Sequence, residues 1–269
     1  MKIQFTKMSA SGNDFVVLDN RADKQVSEVD KPRFVKAACA AKTGIGADGV
    51  LFVEDSAHVD FRMRYFNADG GEVEFCGNGA RCIAYFANHR LGMSSDVTFD
   101  SIPGAVSAVV EGSSVSLQMP SASNIEGPRM LDIGGVAIEY YFVNTGVPHV
   151  VVFTDDLENA PVVEVGKKIR YHDNFQPNGA NADFVRIAEN EPWGIAIRTY
   201  ERGVESETLA CGTGATAAAL VAAHRGLAEF PVKVHVALPD TLTISLGDDG
   251  RPILSGKVSE VFDGTFDFG

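Results

Sequence analysis

Cys76-Gly77-Asn78-Gly79-Ala80 and Cys211-Gly212-Thr213-Gly214-Ala215 are two copies of one motif, 135 residues apart (211 − 76). Working outward, Ala47-Asp48-Gly49-Val50 falls on Ala182-Asp183-Phe184-Val185 in the same register, and Ala87, His89 and Arg90 fall on Ala222, His224 and Arg225. Upstream of the cysteines the offset is 134, with Gly12 on Gly146, Arg64 on Arg198 and Phe66 on Tyr200; one inserted residue near 204–205 accounts for the change. A period this long excludes a solenoid and implies a duplicated domain. The chain is therefore read as an N-terminal half, 1–120, and a C-terminal half, 121–269, whose last few residues can pack back on the first. The join at 120–128, Pro-Ser-Ala-Ser-Asn-Ile-Glu-Gly-Pro, has the composition of a loop.

The halves carry matching elements. Phe15-Val16-Val17-Leu18 and Val150-Val151-Val152-Phe153 read as strands. Asp30-Lys31-Pro32 opens a helix, with Asp30 as N-cap and proline in the first turn, running to about Lys42 with Phe34, Val35, Ala38 and Cys39 on its apolar face. Strand-like stretches at 62–66 and 195–200 lead into the two CGxGA motifs. From each motif a helix runs on, to about Arg90 before Gly92 and to about Arg225 before Gly226. Strand-rich segments at 97–119 and 232–261 close the halves, the second with turns at Pro239-Asp240 and Asp248-Asp249-Gly250. The expected class is α+β, rich in strand, with one principal helix per half.

Of 269 residues 45% are hydrophobic and 22% charged, enough apolar material for a sizeable core and too much for a disordered chain. A formal net charge of -13 sets the chain against nucleic acid and anionic membranes, so neither is an expected partner. The start, Met1-Lys2-Ile3-Gln4-Phe5-Thr6-Lys7, lacks a secretory apolar region, and no apolar run approaches the roughly 18 residues of a membrane span. A soluble, cytoplasmic protein is expected. The cysteines, Cys39, Cys76, Cys82 and Cys211, form no CxxC pair, so free thiols are expected and no metal site. Cys39, and Cys82 whose mate is Ala217, are expected in the core.

Cys76 and Cys211 are different, because each immediately precedes a helix. A helix N-terminus presents unpaired N–H groups and partial positive charge, both of which favour a thiolate. The glycines that follow let a ligand carboxylate approach those N–H groups. One carboxylate could accept from Gly77 and Asn78 on one side and from Gly212 and Thr213 on the other, which would set its α-carbon between two sulfurs. One thiolate would remove the α-proton and the opposite thiol would return a proton to the other face, inverting the centre with no cofactor. Either motif alone also suits a helix-start turn with a buried thiol. A phosphate loop would need the GK[ST] ending that both copies lack.

These residues resemble a known family. Ser11-Gly12-Asn13-Asp14-Phe15, Gly44-Ile45-Gly46-Ala47-Asp48-Gly49, and Phe66-Asn67-Ala68-Asp69-Gly70-Gly71-Glu72 through Cys76-Gly77-Asn78-Gly79-Ala80-Arg81-Cys82 are similar to the diaminopimelate epimerases. So are Asn144-Thr145-Gly146-Val147-Pro148-His149, Asn181-Ala182-Asp183-Phe184, and Tyr200-Glu201-Arg202-Gly203 through Ala210-Cys211-Gly212-Thr213-Gly214, so that the match spans nearly the whole chain. The resemblance implies two pseudo-symmetric domains, each a curved mixed β-sheet around a central helix. It implies an isomerase that interconverts LL- and meso-2,6-diaminopimelate for lysine and peptidoglycan biosynthesis, without pyridoxal phosphate or metal, and it allows a homodimer. Cys76 and Cys211 would be the two bases, with His149 and Glu201 near the thiols to set their protonation. Arg202 would take the distal carboxylate, and Asn13, Asn67 and Asn181 would offer amide hydrogen bonds to the substrate. For His149 the residues alone also allow a strand-start histidine bonded to backbone, for Glu201 and Arg202 an exposed ion pair, and for Asn13 and Asn67 turn chemistry. Two positions depart from the pattern: some family members have asparagine at Val147 and glutamine at Gly49, so distal-end recognition here must use other groups, backbone or water among them.

A related two-thiol racemase acting on proline would not need Arg202 or the asparagines. A relative that isomerises without thiols would not need two aligned cysteines. A non-catalytic module for a small anion would bind the amino acid and exchange no α-proton.

Overall fold

The computed structural model describes residues 1–21, 24–188, 191–237 and 240–269. The chain divides into two compact units, one of residues 1–117 with 256–269 and one of residues 118–255. The first holds β1 (Lys2–Ala10), β2 (Asn13–Asp19), α1 (Lys31–Cys39), β3 (Gly49–Glu54), β4 (Phe61–Asn67), β5 (Glu72–Val73), α2 (Gly77–Leu91), β6 (Asp96–Ser101), β7 (Gly104–Glu111) and β8 (Ser114–Gln118). The second holds β9 (Glu126–Asp132), β10 (Ala137–Asn144), β11 (Pro148–Phe153), α3 (Val162–Arg170), β12 (Asn181–Ile187), β13 (Gly194–Glu201), β14 (Ser206–Thr208), α4 (Gly212–His224), β15 (Val232–His235), β16 (Thr241–Leu246) and β17 (Pro252–Lys257). The last strand, β18 (Ser259–Asp267), belongs to the first unit.

Strand pairing shows that the units share one design. The first runs β18-β1-β2-β3-β4-β6-β7-β8, with β5 on β4, and the second β9-β10-β11-β12-β13-β15-β16-β17, with β14 on β13. The C-terminal strand β18 thus fills in the first unit the place β9 fills in the second. Among the described residues the pairings within each unit are antiparallel except for two parallel ones, β2–β3 and β4–β6 in the first and β11–β12 and β13–β15 in the second.

A parallel pair needs a crossover connection, usually a helix. Two such pairs therefore give two helices per unit, not one. The helix without a sequence-level signal is α3, which starts at Pro161 with no side-chain cap and carries Gly166 in its middle. That glycine lets the helix lie against Tyr200, whose Cβ occupies the space a side chain at 166 would need. Helix α1 also departs from expectation. It stops at Cys39, and Asp30, although at the N-cap position, makes no capping bond; its carboxylate instead accepts from Ser27 and Arg33. In the 120–128 join, residues 126–128 already belong to β9, and Pro239 lies outside the described residues.

The two helices of a unit cover opposite faces of its sheet. Phe34, Val35 and Ala38 of α1 pack with Val16, Leu18, Val50, Phe52 and Phe66. Phe34 also meets Phe266 and Phe268 edge-on at 6.0 and 5.3 Å, which ties the C-terminus to this core; a buried phenyl ring contributes about 1.5–3 kcal/mol. Val162 and Ile169 of α3 likewise pack with Val150, Val152, Ala182, Phe184 and Tyr200. Alternate residues of the same strands face α2 and α4, and the central strands β2, β3 and β12 are accordingly buried on both faces.

Register also corrects the repeat. Val16, Val50 and Phe66 lie abreast in one unit, and Val150, Ala182 and Tyr200 in the other. Phe66 and Tyr200 match as their spacing indicates, but Val50 corresponds to Ala182 rather than to Val185. The Ala-Asp identity at 47–48 and 182–183 slid that segment by three residues. In the true register Phe15 corresponds to His149, Gly49 to Asn181 and Leu51 to Asp183. The match of Arg64 to Arg198 carries its partners with it: Arg64 clasps Glu72 and Arg198 clasps Glu207, each through Nε and Nη2.

Gly49 has a packing reason to be glycine. A Cβ there would lie 2.5 Å from the Phe66 carbonyl oxygen and 2.5 Å from Tyr65 Cε2. Glutamine at this position is expected to cost about 1–3 kcal/mol by overpacking, read as a lower midpoint of denaturant unfolding. An unchanged midpoint for Gly49→Gln would mean that Tyr65 yields freely.

Candidate active site

Cys76 is the N-cap of α2, and its backbone is extended (φ -142°, ψ 118°). This aims the sulfur back over the first turn, where Gly79 N–H donates to Sγ at 3.5 Å while Ala80 N–H closes the first helical bond to the Cys76 carbonyl at 2.8 Å. Space beside Gly79 is tight: a Cβ would come within 3.1 Å of Leu51 Cδ2 and 3.6 Å of Cys76 Cβ. Gly77 and Asn78 form the first two positions of the helix. The Asn78 amide is buried and used inside the unit, donating to Asn13 Oδ1 (2.8 Å) and accepting from Arg81 Nη2 (2.6 Å), which also donates to Ser11 Oγ (2.9 Å). Asn13 in turn donates to Asp48 at 2.8 Å. Asn67, at the end of β4, accepts from Tyr65 OH (2.6 Å) and builds the turn after it, where its carbonyl accepts from Gly70 N–H.

Cys211 is the N-cap of α4 in the same extended conformation (φ -123°, ψ 112°). Its sulfur lies 3.4 Å from Thr213 Oγ1, and the Thr213 carbonyl accepts from the buried Thr145 hydroxyl at 3.0 Å. Gly212, the first helical residue, accepts from Thr216 Oγ1 at 2.9 Å. The surroundings of this thiol differ from those of Cys76. A Cβ on Gly214 would meet Asp183 Oδ1 at 2.6 Å, Thr199 Oγ1 at 3.2 Å and Cys211 Cβ at 3.3 Å. A carboxylate thus stands where Leu51 stands beside Gly79.

The expectation that a helix start lowers both thiols fails at Cys211. Burial pushes its pKa well above the ordinary thiol value, and the charges of Glu201 and Asp183 push it further. The Thr213 hydroxyl and the Gly214 backbone dipole oppose this and lose. Cys39 and Cys82 are core thiols, as expected; burial raises both, Cys39 to about 12.

His149 is wholly buried, as is Asp183, and Nδ1 of the imidazole lies 2.7 Å from Asp183 Oδ2. Its Nε2 lies 3.3 Å from the Asn181 amide nitrogen. The histidine is therefore bonded to side chains, not to backbone. Asn181 is buried at the start of β12, and its Oδ1 accepts the Arg202 backbone N–H at 2.6 Å. Glu201 and Arg202 make no exposed ion pair. Glu201 is the last residue of β13 and accepts from Thr208 Oγ1 at 3.0 Å. Burial raises its carboxyl above the usual range; the Thr208 hydrogen bond draws it down less, and the charge of Asp183 adds to the rise. The Arg202 guanidinium donates from Nη1 to the Asn178 carbonyl at 3.2 Å, and among the described residues it pairs with no carboxylate. Val147, half-buried before β11, brings no polar side chain.

Within the first unit Cys76, Gly77, Asn78 and Asn13 form one cluster, with Asn67 on the turn after β4. Within the second, Cys211, Glu201, His149 and Asn181 form another, joined to Arg202 and Thr213. The reading from sequence missed Asp183, Thr199, Thr145 and Arg81. Asp183 had a signal: strand alternation puts it on the same face as Asn181, inside an otherwise apolar strand. Among the described residues no group of three or more His, Cys, Asp or Glu side chains is arranged to hold a metal ion, and no helix is long and apolar enough to cross a membrane.

Two α+β units of one design, each with a cysteine capping a glycine-opened helix, are what the resemblance in sequence implies. The family model for diaminopimelate epimerase matches residues 5–124 and 141–261, and the chain belongs to that family. It is 42% identical to a diaminopimelate epimerase of Aquifex aeolicus over 273 residues, covering 97% of each chain. It is 40% identical to one of Archaeoglobus fulgidus over 276 residues, covering 98% of this chain and 96% of that one. Among solved structures it shares its fold with a phenazine biosynthesis protein of the PhzF family from Bacillus anthracis (TM-score 0.72, 15% identity, all of both chains). It shares it also with a probable proline racemase from Agrobacterium radiobacter (TM-score 0.71, 16% identity, 99% of this chain and 93% of that one).

Proposed function

We propose that this protein interconverts LL- and meso-2,6-diaminopimelate, for lysine and peptidoglycan biosynthesis, with Cys76 and Cys211 as a cofactor-free acid–base pair. The observation that carries the reading is the thiol at the N-cap of α2 and of α4, one in each unit. One cysteine, as thiolate, takes the α-proton. The electron pair of the broken C–H bond passes into the substrate carboxylate, and the other thiol protonates the opposite face of the carbon. The product leaves with the thiol and thiolate roles exchanged, ready for the reverse reaction.

An amino-acid α-proton is weakly acidic, so the carbanion needs strong stabilisation. The backbone N–H groups of Gly77, Asn78, Gly212 and Thr213, at the two helix starts, would receive the substrate carboxylate in this reading, and oriented donors of this kind are typically worth ~3–4 kcal/mol each in the transition state. In this reading Cys211, buried beside the carboxylates of Glu201 and Asp183, enters as the acid, which leaves Cys76 to enter as the base. Glu201 and His149 set the protonation of Cys211. Arg202 binds the distal carboxylate of the substrate, and Asn13, Asn67 and Asn181 complete its polar surroundings. A cytoplasmic location fits four free thiols, and a homodimer follows the family.

A chiral assay of the purified protein with LL-diaminopimelate and with L-proline, no cofactor added, tests the reading. Turnover of diaminopimelate alone is expected. Turnover of proline alone would reject it, and binding without turnover of either would make the protein an amino-acid-binding module.

A further inference from the structure

His149, Asn181 and Asp183 occupy the places that Phe15, Gly49 and Leu51 occupy in the first unit. Phe15 and Leu51 are wholly buried, so the fold is satisfied by an apolar pair there. Burying a histidine and a carboxylate instead is costly unless every polar atom finds a partner, and here each does. Asn181 Oδ1 accepts the Arg202 N–H, which turns its amide nitrogen toward His149 Nε2. An amide nitrogen only donates, so Nε2 is the acceptor and Nδ1 carries the proton. Nδ1–H then donates to Asp183 Oδ2, and Asp183 Oδ1 accepts from Thr199 Oγ1 at 2.8 Å. The same Oδ1 lies against Gly214, in the turn that carries Cys211.

We propose that Asp183 is a positioning residue for the epimerisation: it locks His149 in the Nδ1–H tautomer and sets a fixed negative charge behind Cys211, so that the two thiols enter the reaction in unlike states. The first unit has Leu51 at that place, and no such charge acts from there on Cys76. The duplicated fold thus supplies two sulfurs on matching helix starts, and the exchange of Leu51 for Asp183 adds to the burial and the Glu201 carboxylate that set Cys211 apart. A thiol–thiolate pair is what inversion requires, since two thiols could not abstract the proton and two thiolates could not return one.

The proposal rests on the two-cysteine reading, but its test has a readout that needs no turnover. Asp183→Asn keeps the shape and removes the charge. With iodoacetamide at pH 7.5 and mass mapping of the modified cysteines, Cys211 is expected to react about tenfold faster in D183N than in the natural protein, while Cys76 keeps its rate. In the assay kcat should fall about 10²-fold with KM changed less than about threefold, as for a group acting through its neighbours. Should D183N fold poorly, the double substitution H149F/D183L installs the apolar pair of the first unit, and the same faster labelling of Cys211 is expected. An unchanged Cys211 labelling rate overturns the positioning role, as does full activity of D183N. Failure of the natural protein to epimerise would instead overturn the reading beneath it, whatever the labelling shows.

Discussion

Cys76→Ser and Cys211→Ser should each lower diaminopimelate epimerisation by about 10²–10⁴-fold, the usual worth of a positioned acid or base. The sulfur is exchanged for a smaller atom whose hydroxyl is a far weaker acid, so neither the thiolate nor the proton donor is available at neutral pH. Both variants should stay folded, because each position is a helix N-cap that serine fills well. Cys82→Ser is the contrasting control, since that thiol sits wholly inside the core: it should change stability, not chemistry. Measured turnover within a few-fold of the natural protein for either N-cap variant would remove that cysteine from the mechanism.

Arg202→Met is expected to be the next most damaging change. The guanidinium has one described bond, from Nη1 to the Asn178 carbonyl, and in the proposed reading the rest of its planar fork takes the distal carboxylate. Its backbone is anchored separately by Asn181, so the substitution removes the charge without releasing the loop. Losing hydrogen bonds to a charged group at a half-buried site costs about 1.5–3 kcal/mol, and 1.4 kcal/mol is a factor of ten. kcat/KM for diaminopimelate should therefore drop about 10- to 100-fold. An unaltered kcat/KM would show that the distal carboxylate is held by other groups.

The duplication, both thiol-capped helices and the core cysteines could be read from the chain because each has a local signature: a repeated motif, a glycine-opened helix, a cysteine on an apolar face. What escaped depends on partners distant in sequence. Helix α3 has no cap residue, and its Gly166 makes sense only against Tyr200. The slip at 182–185 arose because residue identity was matched where hydrogen-bond register decides, and it hid the correspondence of Asp183 with Leu51. The direction of the Cys211 shift escaped for the same reason. A helix start is visible in sequence, but the burial and the carboxylates of Glu201 and Asp183 that outweigh it are gathered from separate strands.

The central claim is that two different sulfurs handle the proton on the two faces of one carbon. It is tested most directly by running LL-diaminopimelate in heavy water to low conversion and measuring deuterium at the α-carbon of product and residual substrate. Two bases predict meso product carrying solvent deuterium at the inverted centre, with the remaining LL substrate still protiated, because the thiol that donates is not the one that received the substrate proton. Protium carried from substrate into product, or residual substrate deuterated as fast as product appears, would contradict it.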